Sequence, residues 1–223
     1  MTKRDTPFKV GDWYHCYNRS IEERPAFKDQ KDYLRFLELL YLANDEWPLR
    51  RDDLGLRTFD EILAIPRGKP LVAIGAFCLM PSNFNLAIHE IVEGGITTFM
   101  RKLGTGYTIY FNSRHKRAGN LFLKPFRSRQ VPSDRPLQSL ISYIHSTPAV
   151  LYESEWKTNH VVDPQFLEEH LMAYPYSSLG AYTGTRTQNT PLLDRDILTT
   201  ARPLPLQKML QEARRYSADS GVP

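Results

Sequence analysis

The 223 residues, 41% hydrophobic and 12% aromatic, provide for one packed domain of about 150 to 200 residues plus a tail, and exclude a second full domain. No run of about 18 apolar residues occurs, which excludes a membrane-spanning helix, and a net charge of +4 specifies no partner by itself. The opening MTKRDTPFKVGDWYHCYNRS is basic but has no apolar core of a secretory signal, so the expected location is the cytoplasm, with Cys16 and Cys78 reduced.

DWYHCYNRS alternates as a first strand, with Trp13, His15 and Tyr17 on one face and Tyr14 and Cys16 on the other. In DQKDYLRFLELLYLAND, Tyr33, Phe36, Leu37, Leu40 and Tyr41 recur at steps of three and four, an amphipathic helix with Asp29 as its cap. Residues 44–70 are charged and punctuated by prolines, a loop insertion with a short ordered piece. LVAIGAFCLMPSNFNLAI is the strongest strand signal, either one strand or two with a break at Pro81.

The segment GGITTFMRKLGTGYTIYFNSRH reads as a helix despite Gly104 and Gly106, and NLFLKPFRSRQVP as a strand. SDRPLQSLISYIHSTP is a helix capped at Ser133 or Asp134 and closed by Pro148. Its core stripe is Leu137, Leu140, Ile141 and Ile144, with Tyr143 and Thr147 together off that stripe. YPYSSLGAYTG ends the domain, 1–184, as a loop or short helix. The tail, 185–223, holds one more amphipathic candidate, LQKMLQEARRY. Helices between strands in this order suggest an α+β sandwich, helices packed on an antiparallel sheet.

Two features carry chemistry. From Arg101 to Arg135 there are nine basic residues against one acid, Asp134: Arg101, Lys102, Arg114, Lys116, Arg117, Lys124, Arg127, Arg129 and Arg135. Tyr107, Tyr110, Phe111, Phe122 and Phe126 are interleaved, a composition suited to phosphate contacts and base stacking, or equally to a solvated basic face over an ordinary core. The second feature is Asn83 and Asn85 on one face of a strand, about 6 to 7 Å apart, a spacing from which two side chains converge on one ion or bond to neighbouring strands.

FCLMPSNFNLAI, EGGITTFMRKLGTGYTIYFNSRHKRAGNLF and LISYIHSTP, with YHCYNRSIEERPAFKDQKDYLRFLELL before them and YPYSSLGAY after, resemble the REP-associated tyrosine transposases, single-tyrosine members of the HUH superfamily. The resemblance spans roughly residues 8–184 in matching order. It implies a ferredoxin-like HUH fold, cleavage and strand transfer of single-stranded DNA beside a hairpin, and a Mg²⁺ or Mn²⁺ ion. Tyr143 falls on the nucleophile. The family's two metal-binding histidines fall on Asn83 and Asn85, and its third ligand, an asparagine, on Thr147.

Three neutral oxygens without carboxylate or imidazole make a weak cation site. His89, four residues beyond Asn85, is about 13 Å away by strand rise and cannot substitute, and His145 points elsewhere on its helix. The expected DNA contacts are Arg101, Lys102, Arg114, Lys116, Arg117, Lys124, Arg127 and Arg129, in a monomer or homodimer without membrane association. Two further readings stand beside a working transposase: a DNA-binding protein that has lost cleavage, and a basic α+β module for RNA.

Overall fold

Alternation along the first strand divides the molecule. β1 (Trp13–Arg19) sends Tyr14 and Cys16 into one core, and Trp13, His15 and Tyr17 toward another. The computed structural model describes residues 7–47, 51–132, 134–158, 161–185 and 188–221. The cap expected at Ser133 or Asp134 lies outside the described side chains, as do Arg135 and part of the 44–70 segment.

The apolar run after residue 70 is two strands, β2 (Val72–Met80) and β3 (Asn83–Glu90), turned at Pro81 and Ser82. Of NLFLKPFRSRQVP only β4 (Arg127–Val131) joins the sheet. Pro125 has no N–H to give a ladder, and residues 121–126 are held irregularly, by Leu123 N–H to Arg19 O at 3.0 Å and a bridge between Ser20 and Phe122. Among the described residues the four strands form one antiparallel sheet in the order β2-β3-β1-β4. Register sets Asn85 opposite both Tyr17 and Cys78, and His15 between Ala87 and Arg129.

One face of the sheet is covered by α1 (Gln30–Leu42), which Asp29 caps through Lys31 N–H and Asp32 N–H, and the longer α3 (Gly95–Arg114). Between them in sequence, α2 (Phe59–Leu63) and a short 3-10 turn (Arg51–Leu54) are ordered pieces of the 44–70 segment. Phe36 of α1 lies 5.0 Å, centroid to centroid, from both Phe84 of β3 and Tyr107 of α3, so aromatic packing ties both helices to the sheet. The β-α-β-β-α-β succession with this strand order is the ferredoxin-like arrangement, and the α+β class expected above is the one observed.

The opposite face carries α4 (Asp134–Ser146), followed by α5 (Pro164–Ala173), α6 (Leu179–Thr183), α7 (Arg195–Thr200) and α8 (Leu206–Ser220). Leu137, Leu140, Ile141 and Ile144 are buried as their spacing predicts, but so are Ser139, Ser142, Tyr143, His145 and Ser146. α4 is enclosed because α8 packs along it with Leu206, Met209, Leu210, Ala213 and Tyr216, and the 174–183 segment closes another side. That segment also covers the outer edge of β2, through Leu79 N–H to Tyr176 O (2.9 Å) and Ser178 N–H to Phe77 O (3.0 Å). No described strand pairs with the outer edge of β4. Among the described residues no helix is long and apolar enough to cross a membrane.

Candidate functional site

A cleft of about 490 Å³ opens where the ends of β1 and β3 meet the C-terminal turn of α4 and the 147–157 segment. Tyr143, Asn83, Asn85 and Thr147 all line it, so the fold brings together every residue that the resemblance placed at nucleophile and metal positions. Tyr143 is only 3% exposed. Its ring lies edge-on to His15 (5.7 Å between centroids) and 5.4 Å from Tyr216. Burial, with Tyr17 nearby, pushes the Tyr143 phenol well above its ordinary value, so the phenolate a nucleophile needs is disfavoured.

Behind Tyr143 runs a chain of hydrogen bonds. His15 Nδ1 lies 3.0 Å from the Tyr216 hydroxyl and Nε2 lies 3.0 Å from Asn85 Oδ1; Asn85 Nδ2 donates to Asn83 Oδ1 at 3.3 Å. The Nε2–H tautomer satisfies both contacts, with Tyr216 donating to Nδ1 and His15 donating to Asn85. Burial lowers His15 to about 4, against a smaller upward pull from its bond to Asn85, so the ring is neutral near pH 7.

These residues do not fit a resident divalent cation. Asn85 Oδ1 accepts from His15, Asn83 Oδ1 accepts from Asn85, and the Thr147 hydroxyl, in the turn that follows α4, donates back to Tyr143 O at 3.0 Å. A cation would displace three satisfied bonds for three neutral oxygens and gain no carboxylate. Among the described residues no group of three His, Cys, Asp or Glu side chains is placed to hold a metal. His89 is stacked on Trp13 with centroids 5.0 Å apart, and His145 is paired with Ser178 Oγ at 2.8 Å, so neither replaces the missing ligands.

The eight cations expected to form one nucleic-acid surface are divided by the sheet. Arg101, Lys102 and Arg114 belong to α3, with Lys116 and Arg117 just beyond it, on the face away from Tyr143. Several have structural partners there. Lys102 Nζ reaches the carbonyls of Asp45 and Trp47, Arg114 is paired with Asp29 (2.6 Å) and Asp32, and Arg117 bonds Asn112 Oδ1 and Asn120 O. Lys124 is exposed in the irregular segment before β4. Arg127 lines the cleft, and Arg129, two residues on, shares its face of β4.

The remaining cleft cations carry no pattern in the sequence. Arg19, at the end of β1, is paired with Glu23 at 3.1 Å, but both are largely exposed and such a pair holds weakly. Lys157 sits on the opposite wall, and partial burial lowers its ammonium. Trp156 beside it is 1% exposed, its carbonyl accepting from Arg214 Nε of α8 at 2.8 Å. His15 alone had a signal in the sequence, a polar residue on the Tyr17 face of a buried strand. Arg19, Lys157 and Tyr216 had none.

Neither a family model nor a curated protein matches the sequence. Among solved structures, the chain is similar to that of a REP-associated tyrosine transposase bound to a REP hairpin, with a TM-score of 0.50 and 13% identity over 82% of this chain and 86% of that one. The likeness is one of fold.

Proposed function

We propose that this chain binds DNA, a hairpin with an adjoining single strand, holding the strand's backbone in the Tyr143 cleft without cutting it. The observation that carries the reading is the cleft itself: Arg19, Arg127 and Lys157 outnumber one carboxylate, Glu23, around Asn83, Asn85 and Thr147, the residues that the resemblance sets at metal-ligand positions. Net positive charge in a concave site suits phosphates. The choice of a hairpin partner rests on the fold neighbour, whose own structure holds a REP hairpin.

A second reading, strand cleavage and transfer, is favoured by the position of Tyr143 in the cleft wall. Tyr143 would attack a phosphodiester, leaving a 5′-phosphotyrosine and a free 3′-hydroxyl. The raised phenol and the engaged amides argue against it, since the phenolate nucleophile is disfavoured and the amide oxygens that could hold a cation at the reacting phosphate are already bonded.

Native and denaturing gels of one incubation, with a labelled hairpin oligonucleotide and Mn²⁺, separate the two. A native shift without a covalent adduct is expected. An adduct that disappears in Tyr143→Phe would establish cleavage, and the absence of any shift would remove the DNA-binding reading.

A further inference from the structure

The bonds behind Tyr143 have a direction. Tyr216 donates to His15, His15 to Asn85 Oδ1, and Asn85 to Asn83 Oδ1, so each link occupies the acceptor of the next group. What is left at the cleft end is Asn83 Nδ2, a donor bonded to no described residue. Asn83 is half-buried where β3 begins. A donor left unpaired at the edge of a cleft is open to an acceptor supplied from outside the chain.

Arg127 and Lys157 add charge to this donor. A site of donors and cations is complementary to a ligand made of acceptors and carrying negative charge, as a phosphodiester is. We propose that Asn83, Arg127 and Lys157 form a phosphate subsite for a nucleic-acid backbone that works without a metal ion, with the Asn83 amide turned donor-outward by the relay from Tyr216. The subsite rests on the DNA-binding reading above.

α8 is then part of the binding site. Tyr216 begins the relay, and Arg214, two residues earlier, holds the carbonyl of Trp156 and so fixes the segment bearing Lys157. The geometry gives amide donors the place that a cation would take against a phosphate oxygen.

The test is fluorescence anisotropy of a labelled hairpin with a single-stranded flank, at constant ionic strength, in EDTA and in MgCl₂. Wild type is expected to bind with the same Kd within about twofold in both, since no phosphate contact passes through the ion. Asn83→Asp exchanges the donor for an acceptor with negative charge and should weaken binding in EDTA by about tenfold. Tyr216→Phe removes the first link and should weaken it by about threefold, with urea unfolding run alongside to show that the variant is folded. Wild-type binding that requires Mg²⁺, or wild-type affinity in either variant in EDTA, overturns the subsite while leaving DNA binding in place. No binding by wild type in either buffer overturns the DNA-binding reading and the subsite together.

Discussion

His15 is fully buried behind the cleft, and its protonation is tied to folding. Burial holds it near 4 in the folded chain, below the ordinary 6.5, and burial holds His145 near 3. Tyr216, Tyr143, Tyr17 and Asn85 surround His15, and Arg129 lowers it further; Ser178 and Tyr182 face His145. Between pH 6.5 and these depressed values the unfolded chain binds protons that the folded chain does not. Stability therefore falls as pH drops through that window, by up to about 1.4 kcal/mol per pH unit for each histidine. Thermal unfolding between pH 7 and pH 5 should show Tm falling, and His15→Gln should remove about half of the slope. An unchanged slope would mean that His15 is not buried neutral.

At this scale the sequence was legible where the chemistry is local. Tyr143 and Thr147 are one turn apart, and Asn83 and Asn85 share a strand face, so helix and strand geometry brings each pair together, while the meeting of the two pairs in one cleft was implied by the family resemblance. Tyr216 meets His15 across 201 positions of sequence, and Arg214 meets Trp156 across 58. No periodicity encodes such contacts, which depend on where α8 docks.

Helix pairing gives the basic segment a different meaning from its composition. Arg114, at the end of α3, reaches Asp29 and the fully buried Asp32 at the start of α1, and His115 Nε2 lies 3.0 Å from Asp32. Asp32→Ala would leave Arg114 and His115 without this partner, at a cost of about 3 kcal/mol read by urea unfolding. DNA affinity should be unaffected, because this cluster lies across the sheet from the cleft. The charges were legible as charges, but their assignment to one surface required knowing that α3 and β4 lie on different layers.

α8 makes the corresponding claim for the tail. Its buried Leu206, Met209, Leu210 and Tyr216 cover α4, so ending the chain at residue 205 should cost on the order of 5 kcal/mol. Truncation that leaves urea stability unchanged would contradict the packing described here. The amphipathic spacing of LQKMLQEARRY announced a helix, while its partner, the helix that bears Tyr143, was outside what spacing conveys.

Across the whole molecule the sheet separates two layers with different tasks. The α1 and α3 layer is an aromatic core closed by ion pairs, and the α4 and α8 layer frames a positively charged cleft. With Arg19, Arg127 and Lys157 each neutralising one phosphate of a single strand, log K should fall with log salt at a slope of about −2. Arg127→Ala should reduce that slope by about 0.7, while Lys116→Ala and Arg117→Ala leave it unchanged.

The central claim is that the strand lies in the Tyr143 cleft. Photo-crosslinking with a hairpin oligonucleotide carrying 5-iodouracil in its single-stranded flank, followed by peptide mass spectrometry, tests it most directly. Crosslinks to peptides containing Tyr17 or residues 150–157 are expected. Crosslinks confined to residues 101–120 would contradict it.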